Sequence, residues 1–405
     1  MITEVIPGAR SVALGVMVAA GSRHEAPGQH GAAHLLEHLL FRGADGMDSE
    51  FLARSLDAFG GESNALTDKE TMTAYVRTLP EHFIDALTLL LTITSAPILD
   101  PMVVDAERSI VLEELEARDD EAGDVAQMAM EAALFGEHAL SRDVLGTVEE
   151  IEALERADLR AFHEARYGAS TAVIVATGDV EHAAVVEVVG SAFERPALLA
   201  DVDPPVGRPR SATVVRHGAG QQHVQFGVVT PGAAEDTASA MAVAAHLMGG
   251  GVSSRLFREI RDERGLAYGV GADLMLLSDV GVYSAYAAAS QGHVAEVIDL
   301  LGASFDVAAS GQVGRDEVER SKAALRAEIL LSADEPLSRL GRLGSDHLSI
   351  GRIRSVEERL AEIGAVTTDA VSQALHAFGT AERHGIVVGN PTPDVRHRLE
   401  ERVGL

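Results

Sequence analysis

Apolar positions along the chain fall into two kinds of run. Val12 to Ala20 (VALGVMVAA) and Val173 to Gly178 (VIVATG) are continuously apolar, short, and closed by small residues or glycine. That pattern fits strands buried on both faces. Thr71 to Arg77 instead alternates polar and apolar residues, as a half-buried strand does. The stretch around His34–His38, set between Gly31 and Gly43, and the run Asp105 to Asp120 (DAERSIVLEELEARDD) both read as helices. Strand, apolar helix, amphipathic helix, alternating strand and further helices follow in that order twice. The predicted fold class is α+β: two homologous α/β sandwich domains, each a mostly antiparallel sheet covered by helices.

The repetition is visible residue by residue. Val12-Ala-Leu-Gly-Val16 returns as Val224-Gln-Phe-Gly-Val228, 212 positions on. At the same spacing Ala33-His34-Leu35 falls on Ala245-His246-Leu247, and Glu107-Arg108-Ser109 on Glu319-Arg320-Ser321. Val173 to Gly178 and Ile386 to Gly389 form a further pair of buried strands, each ending at a glycine turn. Such self-similarity indicates an internal duplication. Between the copies lies Asp201-Val-Asp-Pro-Pro-Val-Gly-Arg-Pro-Arg210, whose prolines resist a helix. The expected division is therefore 1–200, a linker at 201–212, and 213–405.

Composition narrows the function. The chain has 405 residues, with 33 lysines and arginines against 62 acids and a net charge of −29. Nucleic-acid binding is not expected, because such proteins need a basic face to displace counterions. Cysteine is absent, which removes disulfides and thiolate ligands and leaves histidine as the soft metal ligand. No window reaches the ~18 apolar residues of a membrane helix. Residues 12–20 resemble the core of a secretion signal, but Glu4 precedes them and Arg10 is the sole basic residue before them. A buried strand and a cytoplasmic location are the expectation.

His34-Leu-Leu-Glu37-His38 carries the chemistry. Positions i and i+4 of a helix share a face, so His34 and His38 can present both imidazoles to one cation. Glu37, at the rim of that face, is placed to act as a base on water there without being a ligand. Catalytic zinc commonly takes two histidines and a carboxylate, and Glu107, Glu113, Glu114 and Glu116 are on offer in the later helix. Of these, Glu107 and Glu114 share a face with Ile110 and Val111 and are expected to turn inward.

At this point the chain resembles the inverted-zincin peptidases of the pitrilysin, insulysin and mitochondrial processing peptidase family, M16. The signature H-x-x-E-H followed 76 residues later by a glutamate matches His34, His38 and Glu114 as metal ligands. Phe59-Gly-Gly-Glu-Ser-Asn-Ala-Leu-Thr67 is similar to the family's G-G-x-x-N-A-x-T segment. Ser253 to Tyr268 is similar to its S-S-R-L-F…R…Y pattern.

The resemblance implies a zinc-dependent endopeptidase with one Zn2+ per subunit, Glu37 as the catalytic base, and Arg261 and Tyr268 as a substrate-binding and catalytic pair. It implies that Asn64 and Ala65 lie on an edge strand where an extended peptide pairs, and that Glu107 supports the ligands from behind. Read without the family, Glu107 is equally a buried ion pair, Asn64 a turn residue, and Arg261 and Tyr268 a surface salt bridge and a packed ring. The ligand set also suits cobalt or manganese.

In the second half, the 212 spacing sets Gly249, Gly250 and Arg326 against Glu37, His38 and Glu114, so no metal is expected there and His246 is read as a packed core residue. Short family members enclose peptides by dimerising. A homodimer is therefore expected, with a heterodimer containing a metal-free paralogue as the alternative, and a noncatalytic core-protein-like subunit as the rival function. No nucleic-acid or membrane partner is expected. The start of the chain looks like the family's second strand, which suggests a short edge to the first sheet.

Overall fold

The computed structural model describes residues 1–190, 193, 197 and 203–405. Its helices and strands form two compact units. The first comprises Met1–Glu116, Arg142–Asp203 and Leu331–Arg354; the second comprises Ala117–Ser141, Pro204–Leu330 and Ser355–Leu405. Residues 191–192, 194–196 and 198–202, at the end of the first expected segment and the start of the expected linker, lie outside the described residues. The strand Ser211–Arg216 already begins within the stretch read as linker.

In the first unit the sheet order is Ile2–Val5, Ala172–Gly178, Val12–Val18, Met72–Thr78 and Glu62–Thr67. Only the first pair is parallel, with Ile2 opposite Val175. The second unit repeats this with Ser211–Arg216, His384–Gly389, Gln222–Pro231, Val280–Ala289 and Ala267–Leu276. Again the first pair alone is parallel. The duplicated VALGV and VQFGV segments are thus the middle strands of equivalent sheets.

Alternation along these middle strands explains the layering. Val12, Leu14, Val16 and Val18 are fully buried in one cluster with Leu36 and Leu39 of the helix Ala32–Leu40 and Leu87 and Leu90 of Phe83–Ser95. The opposite face offers Ala13 and Met17, which pack with Leu340 and Leu343 of the helix Pro336–Ile350. In the second unit Val224, Phe226 and Val228 face one core. Val280, Val282, Ile386 and Val388 face another, shared with Met130 and Leu134 of the helix Ala122–Phe135.

The glycine common to both repeats has a packing reason. A Cβ on Gly15 would lie 2.8 Å from Leu340 Cδ2, and one on Gly227 would lie 2.6 Å from Met130 Sδ. In each unit a helix presses onto the central strand at its bare glycine, and that helix comes from the other half of the sequence.

Candidate metal centre

The ligand helix runs Ala32–Leu40, with Ala32, Ala33, Leu35, Leu36, Leu39 and Leu40 buried. Four apolar positions per two turns pin one face to the core, which leaves His34, Glu37 and His38 on the remaining face, half-buried. The second helix, Pro101–Asp120, buries Val104, Glu107, Val111 and Leu115. This face carries Glu107 inward, while the Glu114 side chain stays 42% exposed at its edge. The expectation that both glutamates turn into the core therefore holds for Glu107 and not for Glu114.

These elements bring one ligand atom each from His34, His38 and Glu114 within 4.8 Å of one another. Glu114 Oε2 lies 3.7 Å from His34 Nε2 and 3.6 Å from His38 Nε2. Among the described residues, no other trio of histidine or acidic side chains meets that test. Burial, reinforced by the neighbouring His38, pushes the His34 imidazole down to about 4, so it is neutral at pH 7 with a lone pair to donate. Two imidazoles and one carboxylate in reach of a common point fit a divalent cation of the zinc type.

Behind the ligands, His38 Nδ1 is 3.2 Å from Glu107 Oε2, and Glu107 Oε1 is 2.6 Å from Arg42 Nε. A carboxylate on the far ring nitrogen fixes the tautomer and leaves Nε2 facing the site. Arg42, two residues past the end of the helix, balances the buried acid. It was not singled out from the sequence, since only packing sets it against Glu107. Glu37 has its carboxyl raised above the usual range by desolvation, with Thr67 and His38 pulling the other way. Tyr167 is also near: its buried phenol is pushed up by desolvation and by the Glu37 charge. Nothing in its sequence context pointed there.

Asn64 and Ala65 lie on Glu62–Thr67, the outermost strand of the first sheet, with Asn64 exposed and Ala65 facing the core. Asn64 is therefore in a strand, opposite Tyr75, rather than in a turn.

Arg261 and Tyr268 meet in the second unit. Arg261 stands on a π-helical turn, Phe257–Glu263, and Tyr268 on the strand Ala267–Leu276, with Gly265 (φ +64°) between. The guanidinium lies 4.7 Å from the Phe257 ring centre and 4.4 Å from that of Tyr268. It also donates to the Tyr268 carbonyl at 3.1 Å. Tyr268 is 78% exposed, so it is not a packed ring.

The counterpart of the metal centre requires a correction. In the first unit Arg108 donates to the carbonyls of Ile151 and Leu154; in the second, Lys322 donates to those of Gly364 and Val366. The buried positions agree: Val104 and Glu107 match Val318 and Ser321. The two helices thus correspond at a spacing of 214 rather than 212, which pairs Glu107 with Ser321 and Glu114 with Glu328. Arg326 is not the equivalent of Glu114. Glu328 is instead close enough to His246 to act on its titration. His246 is half-buried and lines a cavity of about 60 Å³ with Ser254 and Ser321, so it is not a packed core residue either.

A duplicated α+β sandwich with H-x-x-E-H on a helix and a distant glutamate beside it defines the inverted-zincin class. The comparisons specify it further. Residues 1–148 match the model "Insulinase (Peptidase family M16)", and residues 153–325 match "Peptidase M16 inactive domain". The chain is 36% identical over 398 residues to an uncharacterized zinc protease of Mycobacterium leprae, covering 96% of this chain and 89% of that protein. It is 27% identical to the uncharacterized zinc protease YmxG of Bacillus subtilis, covering 92% and 91%. In structure it is similar to a peptidase M16 inactive domain from Pseudomonas fluorescens, with a TM-score of 0.89 at 20% identity, covering 96% and 95%. The chain belongs to peptidase family M16.

No helix among the described residues is long and apolar enough to cross a membrane.

Proposed function

We propose that the protein is a zinc-dependent endopeptidase acting on peptides or unfolded segments, with one zinc held by His34, His38 and Glu114. The observation that carries this reading is the convergence of those three ligand atoms within 4.8 Å, two of them from the helix that also carries Glu37. A bound zinc ion would supply Lewis-acid polarisation of the scissile carbonyl and would acidify a water at the same point.

Glu37 takes the proton of the attacking water on its carboxylate and passes it to the departing amine. Its desolvated setting makes it a stronger proton acceptor than a free carboxylate. Glu107 and Arg42 hold His38 in the tautomer that faces the site. The edge position of Glu62–Thr67 supports pairing with an extended substrate beside Asn64 and Ala65. Arg261, fixed between two rings, keeps donors for a substrate carbonyl, and the exposed Tyr268 hydroxyl serves a developing oxyanion.

The working form in this reading is a cytoplasmic homodimer, in which the metal-bearing unit of one subunit completes its site with the Arg261 and Tyr268 unit of the other. The test of function is metal analysis of the purified protein together with mass spectrometry of digested peptide mixtures. Zinc with cleavage abolished in Glu37→Gln is the expected result. Zinc without cleavage of any peptide would favour the noncatalytic, assembly-subunit role. For the dimer, mixing Glu37→Gln with the Arg261→Ala, Tyr268→Phe double variant under subunit exchange should restore about a quarter of wild-type activity. Confirmed exchange without recovery would refute the shared site.

A further inference from the structure

The helix that carries His34 and His38 starts without a local side-chain cap. Its N-cap is Gly31 at φ +83°, and a Cβ there would lie 2.3 Å from Ile151 Cδ1 and 2.9 Å from the Leu145 carbonyl. No Ser, Thr, Asp or Asn can occupy that position, so the free amides of the first turn must be satisfied from elsewhere.

Glu25 satisfies them. Its Oε2 accepts from the Gly31 amide at 3.1 Å and its Oε1 from the Ala33 amide at 2.9 Å, from six and eight residues away. The residue is 4% exposed. Burial pushes its carboxyl up to about 8, while the two amides and the nearby Arg142 pull it back. Keeping an acid in such a place is costly unless its oxygens are occupied, and both are.

The turn that carries Glu25 is itself fastened. Ser22 and Arg23 donate backbone hydrogen bonds to the carbonyls of Asp68 and Lys69, and Arg23 pairs with Glu70 at 2.5 Å. These residues lead into the strand Met72–Thr78. Glu25 therefore ties the first turn of the ligand helix to the sheet, and the amide it grips on Ala33 directly precedes His34.

We propose that Glu25 is a positioning residue of the metal centre: it fixes the height and rotation of the first helical turn and so places His34 for the cation. This rests on the zinc reading above. A carboxyl group is required because its two oxygens can accept from two diverging amides at once, whereas an amide side chain has one acceptor oxygen.

The experiment measures zinc affinity by chelator competition, alongside the thermal midpoint of the zinc-free protein. Glu25→Gln should bind zinc about tenfold more weakly and Glu25→Ala about a hundredfold, in line with other residues that support ligands from behind. Leu52→Ala, a core change in the helix Ser49–Phe59, serves as the control: it should lower the thermal midpoint while leaving zinc affinity within about twofold. If Glu25→Ala does not fold, the Glu25→Gln measurement decides. Wild-type zinc affinity in a folded Glu25→Gln overturns the proposal. So does an equal loss in Leu52→Ala at matched stability, since Glu25 would then be only a structural cap. A wild-type protein that takes up no zinc overturns the zinc reading itself, and the proposal with it.

Discussion

In the first unit a regular α-helix sets His34 and His38 four residues apart on one face, and the following long helix adds Glu114. In the second unit the equivalent segment, His246–Gly250, winds as a π-helix, ends in two glycines and is followed by a third, Gly251. A Cβ on Gly250 would lie 2.8 Å from the His246 ring, and one on Gly249 would lie 2.1 Å from the Ala272 amide nitrogen. The His246 ring crowds the position equivalent to His38, and the Ala272 backbone crowds the one equivalent to Glu37. Glu328 remains in reach of His246, but Ser321 stands where Glu107 supports His38. The second unit thus lacks a metal trio because of its chain path and missing side chains. Arg326, which the 212 spacing set against Glu114, does not stand at that position. A duplicated fold keeps its sheet and core contacts far more readily than three converging donors, since burial tolerates many residue types and a coordination site tolerates few.

The comparison can be broken most sharply at the ligands. Glu37→Gln should lower peptide hydrolysis by about 10²–10⁴-fold while zinc content stays at one per chain. His38→Ala should purify with little zinc; full zinc in that variant, by metal analysis, would remove the site as drawn. The opposite substitution probes the second unit. Gly250→His should not raise the zinc stoichiometry above one, and should destabilise the protein by about 1–3 kcal/mol through overpacking against His246. Two zinc ions per chain in Gly250→His would show that side-chain identity alone separated the units.

A smaller effect is expected one layer back. Glu107→Gln should weaken zinc binding about 10–100-fold, whereas Ser321→Ala in the second unit should leave it unchanged. Equal effects would mean that these positions act through general stability.

The smallest effect concerns pH. His34 and His24 have folded values of about 4 against 6.5, so between those limits the unfolded chain binds more protons and stability falls as pH drops. Glu25 works in the opposite sense: its folded value of about 8 against 4.5 means that stability falls as pH rises through that range. The zinc-free protein should therefore show its highest thermal midpoint near pH 6.5, and Glu25→Gln should flatten the alkaline side. An unchanged alkaline slope in that variant would place the titration elsewhere.

The basic peptides favoured by a net charge of −29 offer a further check on the proposed function. Lysine- or arginine-rich peptides should be cut faster at low salt, with the advantage shrinking as salt rises. Equal rates at all salt concentrations would show that the total charge says nothing about the substrate path.

Much of this was written locally in the chain. Continuous apolar runs fixed the middle strands, because a strand buried on both faces has no polar alternation. The spacing of His34 and His38 fixed their shared face, because helical periodicity is a property of the backbone alone. The repeated glycine at Gly15 and Gly227 was legible as a pattern, but its purpose was not, since the helix that presses on each comes from the other half of the sequence. Three matters needed the folded chain. The long helices correspond at 214 residues rather than 212, because equivalence is set by which carbonyls Arg108 and Lys322 reach, and a two-residue slip leaves the string Glu-Arg-Ser aligned by accident. Glu114 came to the edge of its helix face rather than the core, where a ligand can meet both histidines. Glu25 and Arg42 became partners of the ligand helix only through packing. Local sequence sets the period of a helix or strand, but a carboxylate's charge and reach acquire meaning only when tertiary structure decides which buried donors surround it.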